Sequence, residues 1–284
     1  MLVTTGGVTL ALTNLDRRLW PAGEPGGCRK RDLVRYYARV APFLLPHLVR
    51  TAISNIRYPL GVGRPASRER SWARPHWVLQ APDAPEAPAP RSRPPLVTGL
   101  ASLLWLGQKV AIELAPLSEP LVSRSPSATA PAFELTLSGA GAEGFARARD
   151  AAFQLRRAAD GLGVKTRPRT SGRDGVCCRV WGEVAAETGE RQRLAARLLR
   201  AAGVSASTPA RPLIPLSPTA DPRGLVSMPL TWAQLEDALP DAFTLYTVPE
   251  LLQHCGDPWR DTAESPAESP EHGRRSDEAS LVVP

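Results

Sequence analysis

Residues 131–139, PAFELTLSG, carry the pattern that decides the fold class of this 284-residue chain. Phe133, Leu135 and Leu137 alternate with Glu134 and Thr136, and this period of two predicts a β-strand with one buried face. Two carboxylates at positions i and i+2 of a strand are a common way to hold a divalent metal ion. Because the first position is acidic and the second is a neutral threonine, the stretch is either an altered metal site or an ordinary strand.

Strand and helix patterns alternate on both sides of this stretch. Strands are predicted within 8–20 and 51–59, helices at 29–45, 144–163 and 182–203, a helix with a strand-like end at 96–116, and a glycine-containing loop entering a strand at 164–183. Thr231 and Gln234 have the spacing of a helix capping box. The alternation predicts an α/β or α+β domain with a central mixed or antiparallel sheet flanked by helices.

Composition changes mark the expected limits of this domain. Residues 80–95, QAPDAPEAPAPRSRPP, are dense in proline and alanine and are predicted to form an extended or disordered insertion. One domain is expected over 1–259, followed by a disordered acidic tail at 260–284. The last 28 residues hold seven acidic and three arginine residues, whereas the whole chain carries a net charge of +7. The tail is therefore hypothesised to fold over the basic body of the chain.

The positive charge comes almost entirely from arginine, because only three of the 35 basic residues are lysines. Arginine suits phosphate because its planar guanidinium donates two hydrogen bonds at once. A GC-rich coding sequence also produces arginine without selection for binding. Charge alone therefore leaves a nucleic-acid partner and a compositional origin equally open.

The sequence gives no sign of export, membrane insertion or a cysteine-bound metal. There is no apolar run of 18 residues, and the N-terminus lacks the pattern of a signal peptide. The four cysteines form no CxxC pair, and adjacent Cys177 and Cys178 would point to opposite faces of a strand. We expect reduced cysteines and a cytoplasmic protein without a membrane partner.

Several segments together resemble one protein family. In chain order they are LALTNLDRRLWPAG, CRKRDLVRYYARVAPFLLPHL, IRYPLGVG, LASLLWLGQKVAIELAP, TSGRDGV, VSMPLTWAQL, FTLYTVPELL and GDPW. Their order resembles the polymerase (primase-like) domain of bacterial ATP-dependent DNA ligase D, a member of the archaeo-eukaryotic primase superfamily. The resemblance spans roughly residues 8–259.

This resemblance implies a fold, a reaction and a DNA substrate. The family extends or primes DNA ends during non-homologous end joining, with two divalent metal ions held by three aspartates. It implies that Arg17, Lys30 and Arg57 hold the 5′-phosphate of a DNA end. A ligase and a Ku-type end-binding protein are the partners it suggests.

The catalytic positions depart from the family pattern. Glu134 and Thr136 stand in place of the two aspartates of the metal strand, and no acidic residue lies in 191–220, where the third is expected. Histidines expected to contact the nucleotide are replaced by Ala115 and Cys177. Glu134 is thus, at most, a remnant metal ligand.

The loop that should contact the triphosphate is also altered. Ser171, Gly172 and Gly175 remain as remnants of a nucleotide-binding loop, whereas Asp174 replaces a lysine. An anion beside a triphosphate turns attraction into repulsion. We therefore predict a degenerate, stand-alone family member that binds DNA ends, needs no cofactor and transfers no nucleotides.

Two other hypotheses stay open. One is an active polymerase or primase that uses Mn²⁺ or Mg²⁺ with replacement ligands such as Glu134 and Asp174. The other is a non-functional remnant whose basicity reflects only base composition. Binding that depends on a DNA 5′-phosphate would separate the DNA-end-binding hypothesis from the last one.

Overall fold

A computed structural model describes residues 1–21, 27–48, 52–69, 74–79, 95–116, 133–139, 141–182, 188–203 and 213–260. Residues 80–94 of the predicted insertion lie outside the described residues. So do residues 261–284 of the predicted tail. Within the described residues, no helix is both long enough and apolar enough to cross a membrane.

The chain alternates strands and helices, as the sequence pattern predicts. The strands are β1 (Leu2–Thr5), β2 (Val8–Ala11), β3 (Ile53–Arg57), β4 (Ser67–Glu69), β5 (Ala111–Pro116), β6 (Phe133–Ser138), β7 (Lys165–Thr170) and β8 (Gly175–Trp181). The helices are α1 (Lys30–Leu44), α2 (Leu100–Gln108), α3 (Gly141–Asp160), α4 (Thr188–Ala201), α5 (Trp232–Glu236) and α6 (Thr247–Cys255), with a 3-10 turn at Leu45–Leu48.

The described strands form small antiparallel sheets. The first two strands form a hairpin, β3 lies between β4 and β5, and β8 lies between β6 and β7. This arrangement confirms the α+β class with antiparallel pairing. The expected central sheet is, among the described residues, divided into two three-stranded sheets and the hairpin.

Strand β6 is the strand predicted from PAFELTLSG. Leu135 and Leu137 are buried on the face that packs against α3, together with Val176, Cys178 and Val180 of β8. The face opposite α3 carries Glu134, Thr136 and the residues paired with them on β8. The polar face of β6 therefore lies on the side of the sheet away from α3.

The sequence pattern did not predict strand β7, and it also gave no prediction for β1, β4 or α6. The sequence of β7, KTRPRT, alternates charged and uncharged residues and contains Pro168. Proline is tolerated because β7 pairs only with β8 and is an edge strand of its sheet. A loop was expected there, but the alternation instead places Arg167 and Arg169 on the polar face of the sheet.

Helices α1 and α2 pack closely against each other. Gly107 of α2 approaches Tyr37 and Val34 so closely that a β-carbon would lie 3.2 Å from each side chain. The buried Tyr37 hydroxyl donates to the carbonyl oxygen of Ala111 at 2.8 Å, which fixes α1 against β5. This packing brings the start of α1 near the turn that follows α2.

An irregular segment at 213–230 connects the two three-stranded sheets. The amide of Ile214 donates to Leu114 of β5 at 2.8 Å, and the amide of Leu230 donates to Pro168 of β7 at 3.0 Å. Helix α5 follows with the predicted capping box, in which Thr231 and Gln234 bond reciprocally. The segment therefore holds the glycine loop between β7 and β8 close to β5.

Candidate functional site

Two of the residues predicted to bind a DNA 5′-phosphate lie together at the start of α1. The backbone amide of Lys30 donates to the carbonyl oxygen of Arg17 at 2.8 Å. The Lys30 side chain is almost fully buried, and its Nζ donates to the carbonyl oxygen of Thr13 at 2.8 Å. Arg17 is exposed and donates to the carbonyl oxygen of Pro59. One ammonium and one guanidinium are thereby fixed at one helix N-terminus, where backbone amides favour anions.

The ammonium of Lys30 lies in a positively charged environment. Burial, followed by the charges of Arg17 and Lys109, lowers its pKa to about 8. Lys109 lies in the turn between α2 and β5, 79 residues from Lys30 along the chain, and sequence reasoning did not assign it to the site. Three cations therefore converge at this point.

Arg57 joins this basic cluster through Lys109. Its Nε donates to the carbonyl oxygen of Lys109 at 2.8 Å, at the end of β3. Gln108 exchanges two hydrogen bonds with Thr13, at 2.8 and 3.1 Å, which fixes the α2–β5 turn beside the start of α1. The structure thus places Arg17, Lys30 and Arg57 near one another, with Lys109 between Lys30 and Arg57.

The nearest carboxylates in sequence are bound to other groups. Asp16 forms ion pairs with Arg29 and Arg31. Asp32 accepts a 2.7 Å hydrogen bond from the backbone amide of Arg29, which caps α1. Among the described residues no carboxylate forms an ion pair with Lys30. The basic cluster of Arg17, Lys30, Arg57 and Lys109 can therefore take an anionic ligand.

The predicted metal strand contains a salt bridge. Glu134 of β6 accepts a 2.5 Å hydrogen bond from Nη2 of Arg169, whose side chain is fully buried. Arg169 also donates to Ser227 and, at 2.9 Å, to the carbonyl oxygen of Leu213. Burial alone would lower the pKa of Arg169, but its electrostatic interactions with Cys177 and Glu134, together with the hydrogen bond to Glu134, raise it above its usual range. The guanidinium is therefore a permanent cation at Glu134.

These residues do not fit a divalent metal ion. Thr136, at the second position of the strand, lies 3.4 Å from the Cys177 sulfur and is neutral. Burial raises the pKa of the Cys177 thiol, which keeps it protonated. Among the described residues, no three His, Cys, Asp or Glu side chains are grouped so that they could hold a metal. On this strand the single carboxylate that could bind Mn²⁺ or Mg²⁺ is that of Glu134, which is already paired with the buried Arg169.

The glycine loop is packed tightly against the 213–230 segment. Gly172 has φ +72°, and a β-carbon there would lie 2.3 Å from Cγ2 of Thr219, whose hydroxyl donates to the Gly172 carbonyl oxygen at 2.6 Å. A β-carbon on Gly175 would lie 2.6 Å from the carbonyl oxygen of Leu137. Ser171 accepts a hydrogen bond from the amide of Arg173. All three loop residues thus have internal contacts that explain their identity, and their role in nucleotide binding stays a prediction.

Charged side chains of the same loop form internal ion pairs. Arg173 donates to Glu113 of β5 at 2.7 Å, and Asp174 accepts from Arg223 at 2.8 Å. Arg223 also binds Asp221. Burial alone would raise the pKa of Asp221, but the hydrogen bonds from Arg223 outweigh this effect and lower it. The suggested replacement ligands Glu134 and Asp174 are therefore each bound to a different arginine.

The comparisons with known proteins agree on one family. The model of the LigD primase-polymerase domain matches residues 29–213 and 206–259. The bifunctional non-homologous end joining protein LigD of Bacillus subtilis is 26% identical over 288 residues, which cover 92% of this chain and 45% of that protein. The multifunctional non-homologous end joining DNA repair protein LigD of Mycobacterium tuberculosis is 33% identical over 107 residues, 37% of this chain and 13% of that protein.

A solved structure supports the same fold. The polymerase domain from Mycobacterium tuberculosis Ligase D, determined in complex with DNA, superposes with a TM-score of 0.74 at 24% identity. The match covers 90% of this chain and 98% of that domain. The chain spans less than half the length of the curated relatives it matches. Because the family model matches most of the sequence, this chain belongs to the LigD primase-polymerase domain family.

Proposed function

We propose that this protein binds DNA ends that carry a 5′-phosphate and does not transfer nucleotides to them. The observation that carries the proposal is the convergence of Arg17, Lys30 and Lys109 at the start of α1, where no carboxylate of the described residues pairs with Lys30. A terminal phosphate carries more charge than a backbone phosphate, so such a cluster favours the end of a strand over its interior. DNA binding by the related polymerase domain is consistent with this proposal.

The absence of nucleotide transfer is proposed because of the pairing at Glu134. Phosphoryl transfer in polymerases uses metal ions that neutralise the developing charge on the triphosphate. A carboxylate engaged by the buried Arg169 at 2.5 Å offers no equivalent site. The same residues argue against the alternative of an active polymerase that uses Glu134 and Asp174.

A role in non-homologous end joining follows from the names of the relatives. Both curated relatives are named as proteins of that process. We propose that this chain contributes end recognition, beside a ligase and a Ku-type protein, at DNA breaks in the nucleoid. The acidic tail at 260–284 is proposed to compete with DNA, so that removing 260–284 tightens binding at low salt.

The test is a binding titration with two matched DNAs. A labelled gapped duplex is used with a 5′-phosphate or a 5′-hydroxyl on the downstream strand, and anisotropy is measured for the wild type, Arg17→Ala and Lys30→Ala. We expect the wild type to prefer the phosphate by about tenfold, the value of one charge-assisted hydrogen bond. Both variants should lose that preference and keep their weaker, salt-sensitive binding.

Arg193→Ala is the control, because this exposed arginine lies on α4 and removes the same charge. Equal affinity of the wild type for both DNAs would refute recognition of the 5′-phosphate and favour a basic remnant. Extension of the primer in the same tubes, with Mn²⁺ and nucleotides, would refute the absence of nucleotide transfer.

A further inference from the structure

The polar face of the sheet β6–β8–β7 carries three arginines. Arg179 of β8 is paired in register with Glu134 of β6 on one side and with Arg167 of β7 on the other. Arg169 lies two residues further along β7, beside Cys177. Register partners in an antiparallel sheet point to the same face, so the three guanidiniums share the face opposite α3.

The carboxylates near these arginines are occupied. Glu134 is bound by Arg169. Asp257 accepts hydrogen bonds from the His47 ring at 2.6 Å and from the backbone amide of Trp259 at 2.8 Å. The side chain of Arg179 is half-buried and makes no hydrogen bond or ion pair with another described residue. The face therefore holds more positive than negative charge, and one of its cations lacks a partner within the described part of the chain.

Arg167 is held rigidly next to Arg179. Its guanidinium lies 5.0 Å from the ring centroid of Trp181 and 4.5 Å from that of Trp259, and it donates to the Trp259 carbonyl oxygen at 3.3 Å. Burial lowers the pKa of Arg167 to about 10, and the charge of Arg179 contributes to the same shift. Nε of Arg167 and Nε of Arg169 are buried without a hydrogen-bond partner among the described atoms.

Two guanidiniums held side by side are favourable when an anion lies between them. Their repulsion is reduced, and planar N–H groups meet phosphate oxygens in a bidentate geometry. The rings of Trp181 and Trp259 restrict the rotamers of Arg167, so less side-chain entropy is lost on binding. These features are typical of a site in which arginine side chains bind a phosphate group without a metal ion.

We infer that Arg167 and Arg179 bind a phosphate group directly, without a divalent metal ion, on the face that also carries Glu134. The phosphate belongs either to a nucleoside triphosphate or to the backbone of a DNA strand. This site is separate from the basic cluster at α1, which lies on other elements of the fold. Phosphate binding here does not depend on recognition of a 5′-end.

The test measures phosphate binding by the full-length chain in EDTA. The probes are deoxythymidine triphosphate and a single-stranded oligothymidine with a 5′-hydroxyl, and isothermal titration calorimetry gives the affinity of each. Arg179→Gln should lower the affinity for one or both probes about tenfold, which corresponds to the loss of one charge-assisted hydrogen bond. Arg179→Lys should recover part of the loss, since it restores the charge and not the planar fork.

Matched variants separate this site from general charge effects. Arg193→Gln removes an exposed arginine of α4 and should change both affinities less than twofold. Arg179→Gln should leave the preference for the gapped duplex with a 5′-phosphate unchanged, so failure of the α1 site and failure of this one are distinguishable. Equal losses in Arg179→Gln and Arg193→Gln would overturn the inference, and so would affinity that appears only when Mn²⁺ is added.

Arg179→Gln is suited to the test because the side chain is half-buried and bonded to no other described residue. Its melting temperature should match that of the wild type within the error of the measurement. If Arg179→Gln loses affinity for the triphosphate alone, the site binds nucleotides. If it loses affinity for the oligonucleotide alone, the site binds a DNA strand. No measurable binding of either probe to the wild type would refute the site.

Discussion

Arg169 reaches across strand β8 from β7 to Glu134 on β6, with 2.5 Å between Nη2 and Oε2. The pair ties the two outer strands of one sheet together. The Arg169 side chain is fully buried and that of Glu134 is 13% exposed, so neither charge is well solvated. Such a pair contributes little net stability when intact but is costly to break, because one charge is left buried and alone.

Arg169→Met is therefore expected to destabilise the protein by about 3–5 kcal/mol, since Glu134 would be left without its partner. The double variant Arg169→Met with Glu134→Leu should be more stable than Arg169→Met alone, because no uncompensated charge remains. Urea unfolding followed by circular dichroism measures both. Arg193→Met, on an exposed helix face, serves as the control and should stay within about 0.5 kcal/mol of the wild type. Equal stability of Arg169→Met and the control would show that the pair is dispensable.

Mn²⁺ is expected to leave the melting temperature of the wild type unchanged. A ligand that binds only the folded state raises the melting temperature, by an amount that grows with the logarithm of its affinity. The pairing at Glu134 leaves no site for the ion. Differential scanning fluorimetry with and without MnCl₂ measures this, with CaCl₂ as a control for ionic strength. A specific upward shift with Mn²⁺ that is lost in Glu134→Gln would contradict the prediction.

Preference for a 5′-phosphate should decline as the pH rises above about 8. The pKa of Lys30 lies near 8 in the unliganded protein, and only its charged form attracts the phosphate. The bound phosphate favours the protonated form, so the decline begins near pH 8 and continues at higher pH. Titrations from pH 7 to 9.5 with both gapped DNAs measure the preference.

Lys109→Ala provides the matched variant for this pH dependence. It removes one of the two charges that lower the Lys30 pKa, so the decline should move to higher pH. Arg17 remains charged throughout the range and does not contribute to the slope. A preference that stays constant up to pH 9.5 in the wild type would exclude Lys30 as a phosphate ligand.

Gly172→Ala is expected to destabilise the protein by about 2 kcal/mol or more, since the added methyl group would overlap Thr219 and the residue has φ +72°. Thr219→Ser removes the methyl group at 2.3 Å and keeps the hydroxyl that binds the Gly172 carbonyl oxygen. Combining the two changes should recover part of the loss in a thermal melt. No recovery would show that the strained backbone, rather than the contact with Thr219, determines the cost.

The fold is largely predictable because its strands and helices carry strong periodic signals. The alternation of Leu135 and Leu137 with polar residues is sufficient to identify β6. The capping box of Thr231 and Gln234 likewise lies where its spacing predicts. Strand β7 was not predicted, and its position at a sheet edge, where Pro168 is tolerated, is a property of the tertiary structure.

The sites are predictable only in part, because their partners lie far apart in sequence. The sequence led to the prediction that Glu134 is a remnant metal ligand, but its pairing with Arg169, two strands away in the sheet, depends on the tertiary structure. Lys109 was not assigned because its approach to Lys30 depends on how α2 packs against α1. Arg179 is one of many arginines in the sequence, and only strand register places it beside Arg167.

Because the cation beside Glu134 is the guanidinium of Arg169, the charge at this position does not depend on the supply of metal ions. A charge supplied by a metal ion depends on the concentration of that ion in the cell, and it can be removed by a chelator or exchanged for a competing metal. A charge supplied by a side chain is present once translation and folding are complete. The positive charge that balances Glu134 is therefore fixed by the amino-acid sequence. It does not change with the intracellular concentration of manganese or zinc.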